Sequence, residues 1–180
     1  MDWRDKFALA TDLALIGVAV TALSLPLVTA PAALAAGSAA VRGRYHDGRL
    51  PGWHPLLHQY RRGILPGLPV LLAIVVLLID LAAVRGGRVP GGPVLLAVTL
   101  VAVLGLAGVA ALTLVAVGRD PELPWRAAAR WSWEHPACVL ALALTSVVAF
   151  VLTLAVPITL PLMIGFHLFA LHMISDRLAP

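Results

Sequence analysis

The chain contains long stretches without a single charged side chain. Residues 94–118 and 137–166 include no Asp, Glu, Lys or Arg. Uninterrupted apolar stretches of about 18 or more residues are typical of helices that cross a lipid bilayer. With 61% hydrophobic and 12% charged residues, the 180-residue chain has more apolar surface than a soluble domain can bury. We therefore predict an all-α protein in which residues 1–180 form a single integral membrane domain.

Charged and helix-breaking residues divide the chain into four apolar segments, at 9–41, 64–84, 94–117 and 137–175. The first and last are too long for one crossing, since straight helices of that length would span about 50 Å against a hydrocarbon core of about 30 Å. Each carries a proline pair near its middle, Pro26 with Pro31 and Pro157 with Pro161. Because proline removes a backbone donor and blocks the preceding helical turn, each pair is expected to divide its segment into two legs. The predicted fold is a polytopic transmembrane helix bundle with proline-broken first and last apolar segments and four to six crossings, six legs being preferred.

The first apolar segment leaves two alternatives open. Its legs, 9–25 and 31–45, are short for full spans, so a hairpin that only partly enters the bilayer is an alternative to two crossings. Arg4 and Lys6, followed by an apolar run and the small residues of 33–36, also fit a secretory signal. Acidic residues among the first five dilute the charge that such a signal needs, so we expect the segment to stay in the protein.

The cationic residues lie almost wholly between the apolar segments and give the chain a net charge of +4. If both broken segments are hairpins, all of the cations except Arg85 and Arg88 fall on one side of the membrane. Four straight crossings give a weaker split, and five remain open. In every version the linkers 42–62 and 118–136 share a side, and the positive-inside rule assigns both to the cytoplasm. Together with an Arg-, Ala- and Gly-rich composition, this predicts a multi-pass protein of a bacterial cytoplasmic membrane.

Both linkers mix aromatic and cationic side chains, a pattern typical of segments at the membrane surface. The first is predicted to form a short interfacial helix from Leu56 onward, and the second a helix that starts after Pro124, with Pro136 beginning the next span. A four-residue spacing predicts an ion pair between Arg130 and Glu134. The predicted contact residues of the two linkers are Arg61, Arg62, Trp125, Arg126, Arg130 and Trp131. Anionic lipid explains this charge, and since no base-stacking or groove-reading motif is present we expect no nucleic-acid partner.

Few residues have the spacing of a reaction centre. His54 and His58 could share a helix face for a metal, but no carboxylate or cysteine nearby completes a site, so we expect no metal and no cofactor. No nucleophile elbow, phosphate loop or metalloprotease helix is present, and we expect no catalytic residues. Ionisable groups inside apolar segments are functional suspects by default. Those groups are Asp12, Asp80, His167 and His172, for which we expect contact with headgroups or hydrogen bonds to neighbouring helices.

The proline breaks provide a second candidate site. The chain order is roughly palindromic, with a broken segment, a basic linker and a single span, followed by the same elements in reverse. Membrane folds with inverted repeats often bind solutes at broken helices. The helix-break residues that could line such a solute site are Pro26, Thr29, Pro31, Pro157 and Pro161.

Two stretches resemble a known family. Residues 24–36, which begin Ser-Leu-Pro-Leu-Val-Thr-Ala-Pro and are followed by Arg42-Gly-Arg44, resemble a motif of the YesL-like family of predicted bacterial integral membrane proteins. Residues 123–136 are similar to that family's second cytoplasmic linker, whereas Gly17 stands where the family tends to have a polar residue. The resemblance implies an accessory role beside carbohydrate uptake and supplies no catalytic residues.

Taken with the sequence patterns, the resemblance leads to one expected function and one alternative. We expect a non-enzymatic membrane protein that assists or assembles with a carbohydrate-uptake system, and whose partners are the lipid bilayer and transporter subunits. The alternative is a small solute carrier or channel that acts as a homo-oligomer.

Overall fold

The computed structural model describes residues 3–86 and 92–179, and within these ranges the chain is helical, without a strand. The α-helices are α1 (Trp3–Leu23), α2 (Ala30–His46), α3 (Trp53–Arg85), α4 (Gly92–Arg119), α5 (Trp125–Trp133), α6 (Pro136–Ala155) and α7 (Leu160–Leu178). Short 3-10 turns, Leu27–Thr29 and Pro157–Thr159, join α1 to α2 and α6 to α7. The predicted all-α helix bundle is confirmed.

Each proline-broken segment folds back on itself, as predicted, and the two breaks are built alike. Each has a proline at the start of a 3-10 turn, a threonine that closes the turn, and a second proline in the first turn of the returning helix. The Thr29 hydroxyl donates to the carbonyls of Leu23 and Pro26, each at 2.7 Å. The Thr159 hydroxyl likewise donates to the Val156 carbonyl at 2.7 Å. Proline is tolerated in the first turn because its missing N–H would have no helical partner there.

Five of the described helical stretches are long and apolar enough to cross a membrane, which makes this a multi-pass membrane protein. They are Trp3–Leu23, Trp53–Val84, Pro93–Arg119, Pro136–Ala155 and Pro157–Leu178. Their outward faces carry exposed large hydrophobic side chains, as contact with lipid requires. The remaining leg, α2, is rich in alanine and glycine, and ten of its 17 residues are buried against the other helices.

Small residues let the helices approach closely. The alanine-rich face of α2 is buried, with Ala32 beside Gly63 of α3 and Gly37 beside Val20 of α1. At the antiparallel crossing of α1 and α7, a Cβ atom added to Gly17 would lie 1.9 Å from the Pro161 carbonyl oxygen. A polar side chain at position 17, as in the YesL-like family, would therefore collide with α7 in this chain.

The linkers differ from expectation in two details. The separate interfacial helix predicted from Leu56 is wrong, because α3 runs without interruption from Trp53 into the membrane and accommodates Pro66 and Pro69 inside the helix. The predicted Arg130–Glu134 ion pair is absent from the ion pairs of the described residues, since α5 ends at Trp133 and Glu134 lies beyond its last turn.

The other linker boundaries agree with the sequence. As predicted, α5 starts directly after Pro124 and α6 starts at Pro136. Arg88, one of the two cations expected on the opposite side of the membrane, lies outside the described residues. The assignment of both linkers to the cytoplasm stays a prediction.

Candidate functional site

A cluster of charged side chains joins the ends of three helices. Asp176 of α7 accepts hydrogen bonds from Arg42 of α2 at 2.9 and 3.0 Å and from Arg119 of α4 at 2.6 Å. Arg119 also donates to the hydroxyl of Ser175 and to the carbonyl of Ala179, each at 3.0 Å. All three charged side chains are less than a third exposed. One carboxylate thus bridges two guanidinium groups and ties α2, α4 and α7 together.

A second, fully buried polar group lies one turn deeper. The Ser38 hydroxyl donates to the Leu114 carbonyl at 2.8 Å and lies 3.0 Å from Nε2 of His172. The same Nε2 is 3.1 Å from the Ser38 carbonyl, so in the tautomer with Nε2 protonated it donates to that oxygen. His167 of α7 similarly lies 3.3 Å from the hydroxyl of Ser146 on α6. The expected bonding of both histidines to neighbouring helices is confirmed.

The Ser38–His172 contact has the residue types of a nucleophile and a base, but its geometry suits a structural contact. The Ser38 proton is directed to a backbone carbonyl instead of the ring nitrogen, and both side chains have no exposed surface. A catalytic pair needs access to substrate and a base that takes the nucleophile's proton. The arrangement links α2 with α4 and α7, and the Ser38 oxygen is not activated by the imidazole because its proton is bound to the Leu114 carbonyl.

The two carboxylates within apolar segments also have partners. Asp12 of α1 pairs with Arg44 of α2. Asp80 of α3 accepts a hydrogen bond of 2.6 Å from Thr99 of α4. Arg42, Arg44 and Arg119 therefore serve as partners for carboxylates. This role is not predictable from the sequence, because Arg42 and Asp176 are 134 positions apart.

The predicted linker residues fall into an inward and an outward set. On α5, Ala128 and Ser132 are fully buried, and Trp125 and Trp131 pack against the core. Arg119 lies over the Trp131 ring, 5.9 Å from its centroid. These contacts dock α5 firmly on the ends of the spanning helices.

The outward set consists of exposed arginines. Arg61, Arg62, Arg126 and Arg130 are all exposed. Arg62 donates to the Glu122 carboxylate at 2.7 Å and to the carbonyls of Pro121 and Glu122. The start of α3 is thereby joined to the second linker. Among the described residues, neither Arg126 nor Arg130 has an ion-pair partner. We call Arg62, Arg126 and Arg130 the arginine surface.

Pro26, Thr29 and Pro157 lie in or directly before the two 3-10 turns, whereas Pro31 and Pro161 lie in the first turns of α2 and α7. The Pro26 carbonyl accepts hydrogen bonds from both the backbone N–H and the hydroxyl of Thr29, and the Pro157 carbonyl accepts one from the Leu160 N–H. Pro31 packs against Gly67 of α3, and Pro161 packs against Gly17 of α1. Neither proline carbonyl is left without a donor, and a solute site at these residues stays a prediction.

The two histidines with metal-ligand spacing, His54 and His58, are exposed in the first turns of α3. Within the described ranges, no three His, Cys, Asp or Glu side chains are arranged to hold a metal ion.

Comparisons of the chain with family models, curated proteins and solved structures give no match. Membership of the YesL-like family therefore stays a prediction that rests on the two stretches of sequence described above.

Proposed function

We propose that the chain is a non-enzymatic protein of the bacterial cytoplasmic membrane that assists or assembles with a carbohydrate-uptake system. The observation that carries the proposal is the arginine surface. Two of its three cations have no ion-pair partner among the described residues, and they stand on a helix that is firmly docked to the bundle. Such a surface fits an acidic segment of a transporter subunit, in the cytoplasm if the linkers lie on that side.

The buried polar groups support a structural role over a catalytic one. Asp176, Arg42 and Arg119 bind one another, and Ser38 and His172 bind across helices. Most polar atoms of these groups are paired inside the bundle, as those of buried side chains in a stable fold are, although Nε of Arg119 and Nδ1 of His172 have no hydrogen-bond partner among the described residues. By contrast, Arg126 and Arg130 are exposed at the second linker and have no ion-pair partner among the described residues, which leaves them available to a partner.

A carbohydrate-uptake assay with charge-reversal variants tests the proposal. We expect deletion of the protein to lower uptake of at least one sugar, and Arg126→Glu combined with Arg130→Glu to lower it similarly. Opposite charge at an interface weakens association strongly, because attraction to an acidic partner becomes repulsion. Arg49→Glu, at a cation that is also exposed and lies in the loop before α3, is the matched control and should leave uptake unchanged. Unchanged uptake of every tested sugar after deletion would sink the proposal.

Cross-linking identifies the partner directly. A photoreactive residue at position 130 should capture a transporter subunit in intact cells, whereas one at Ile158, in the turn between α6 and α7, should not.

The alternative, an oligomeric carrier with its site at the helix breaks, predicts sugar flux into liposomes that contain only this protein. Flux of that kind would replace the accessory role with the carrier role.

A further inference from the structure

A groove of about 700 Å³ lies between α3 and α4 and is closed by the first residues of α2 and α5. This volume is within the range of about 300–1,000 Å³ that is typical of ligand sites. Along α3 the wall is formed by Pro66, Pro69 and Ile74, and along α4 by Leu106 and Ala110. The wall is therefore apolar over most of its length.

One end of the groove is cationic. Arg62 from α3 and Arg126 from α5 both line it there, beside the ring of Trp125. The Glu122 carboxylate that pairs with Arg62 is 79% exposed, and Arg126 has no ion-pair partner among the described residues. Two guanidinium groups opposed by one exposed carboxylate leave a net positive charge at this end. Tryptophan and arginine together are typical of the headgroup level of a membrane.

The length of the groove matches one leaflet of the bilayer. Arg62 and Ile74 are twelve residues apart on α3, which corresponds to about 18 Å along a helix axis. Half of the hydrocarbon core is about 15 Å thick. A molecule with its polar group at Arg62 would thus reach the middle of the bilayer at Ile74.

From this geometry we propose that the groove is a specific binding site for one acidic phospholipid. Its phosphate binds Arg62 and Arg126, and an acyl chain lies along Pro66, Pro69 and Ile74. Guanidinium groups bind phosphate through paired, charge-assisted hydrogen bonds. A zwitterionic headgroup would bring its own cation close to the two arginines, so an anionic lipid without that cation fits better. The chain spans a membrane, so such lipids are present at high local concentration.

This proposal does not depend on the accessory role, although the two share Arg62 and Arg126. Arg130 separates them, because it belongs to the arginine surface but does not line the groove. A variant of Arg130 should therefore affect a protein partner without affecting the lipid.

Native mass spectrometry of the full-length protein in mild detergent tests lipid binding. The probes are phosphatidylglycerol and phosphatidylcholine with the same acyl chains. We expect one phosphatidylglycerol molecule per chain, bound about tenfold more tightly than phosphatidylcholine, in line with the attraction of arginines for anionic lipid. Arg62→Gln combined with Arg126→Gln should abolish this preference, whereas Arg130→Gln should retain it.

A second variant tests the apolar part of the site. Ala110→Phe should fill the groove and reduce retention of phosphatidylglycerol at least several-fold while both arginines remain. Equal binding of the two lipids by the native protein, or an unchanged preference in the double arginine variant, would overturn the proposal. A dominant species that retains no phosphatidylglycerol, whether monomer or dimer, would also overturn it. Loss of sugar uptake in the Arg130 variant with lipid binding intact bears on the accessory role alone.

Discussion

Glycine and alanine residues determine how closely the helices pack, and a few polar side chains determine which helices meet. Gly165 of α7 touches the backbone of α1, where an added Cβ would lie 2.0 Å from the Leu13 carbonyl oxygen. A Cβ added to Gly105 of α4 would meet no side chain and no neighbouring helix within 4 Å. Both residues are glycines, but only at position 165 does the packing of a neighbouring helix require glycine.

Gly165→Ala should destabilise the protein, because the backbone of α1 must move to admit the methyl group. Overpacking of this kind costs about 1–3 kcal/mol. Gly105→Ala is the matched control and should be neutral or slightly stabilising, since alanine is favoured over glycine in helices by about 1 kcal/mol. The apparent melting temperature in detergent, measured by loss of the monodisperse peak in size-exclusion chromatography, distinguishes them. Equal melting temperatures for both variants would contradict the close contact of α1 with α7.

Asp176→Asn should also destabilise the bundle, because it leaves Arg42 and Arg119 without their shared carboxylate. Breaking a fully buried pair costs about 3–5 kcal/mol, and the partial exposure of this cluster reduces the expected loss to about 1–3 kcal/mol. Glu122→Gln, at an ion pair whose carboxylate is 79% exposed, should cost less than about 1 kcal/mol. The same melting assay serves here. A loss at Glu122 as large as that at Asp176 would show that the cluster does not hold α2, α4 and α7 together.

Among the elements, those controlled by local sequence were predictable. Proline pairs mark both hairpin turns, and Pro124 and Pro136 mark the starts of α5 and α6. The full extent of α3 was not predictable in the same way, because charge and hydropathy change near Arg62 while the backbone remains helical. The buried position of α2 follows from contacts between distant parts of the chain. The arginine surface was recognised from its residue types, but its link through Glu122 and the adjoining groove depend on tertiary packing.

Two adjacent alanines of α5 test whether this helix is docked on the bundle. Ala128 is fully buried and Ala127 is exposed. Ala128→Leu should undock α5, because the larger side chain overpacks the buried face of the helix. Overpacking costs about 1–3 kcal/mol, which corresponds to roughly 5- to 150-fold faster hydrogen exchange through local opening of α5. Ala127→Leu adds the same side chain on the outer face and should leave the helix in place. Hydrogen exchange of the amides in residues 125–133 gives the result, and equal exchange rates in both variants would contradict the docked position of α5.

For the whole molecule, the order of helices places both turns at one end of the bundle and both linkers at the other. Antiparallel contacts support this arrangement, with Asp12 near Arg44, Gln59 near Val117, and Asp80 near Thr99. The same order puts the beginning of α1 and the end of α7 at one end.

Cysteine accessibility in intact cells tests this arrangement. With Cys138 replaced by alanine, a single cysteine at Ile158, which is strongly exposed, should react with a membrane-impermeant thiol reagent. Cysteines at Asp47 and Glu134, exposed at the opposite end, should react only after the cells are opened. The hairpins and the positive-inside rule together predict this pattern. Absence of labelling at Ile158 would contradict the hairpin formed by α6 and α7.

The low hydropathy of α2 has a consequence for how the protein is made. Its 17 alanine- and glycine-rich residues, which end in arginines, have little tendency to leave the translocation machinery for lipid on their own. His172 and Asp176, which bind its Ser38 and Arg42, belong to α7 and lie 134 positions further along the chain. The helix can therefore pack against α3 and α4 as soon as these are made, but its polar contacts with α7 form only after residues 172–176 have been synthesised. We expect chains truncated before α7 to be recognised by membrane proteases as unfinished.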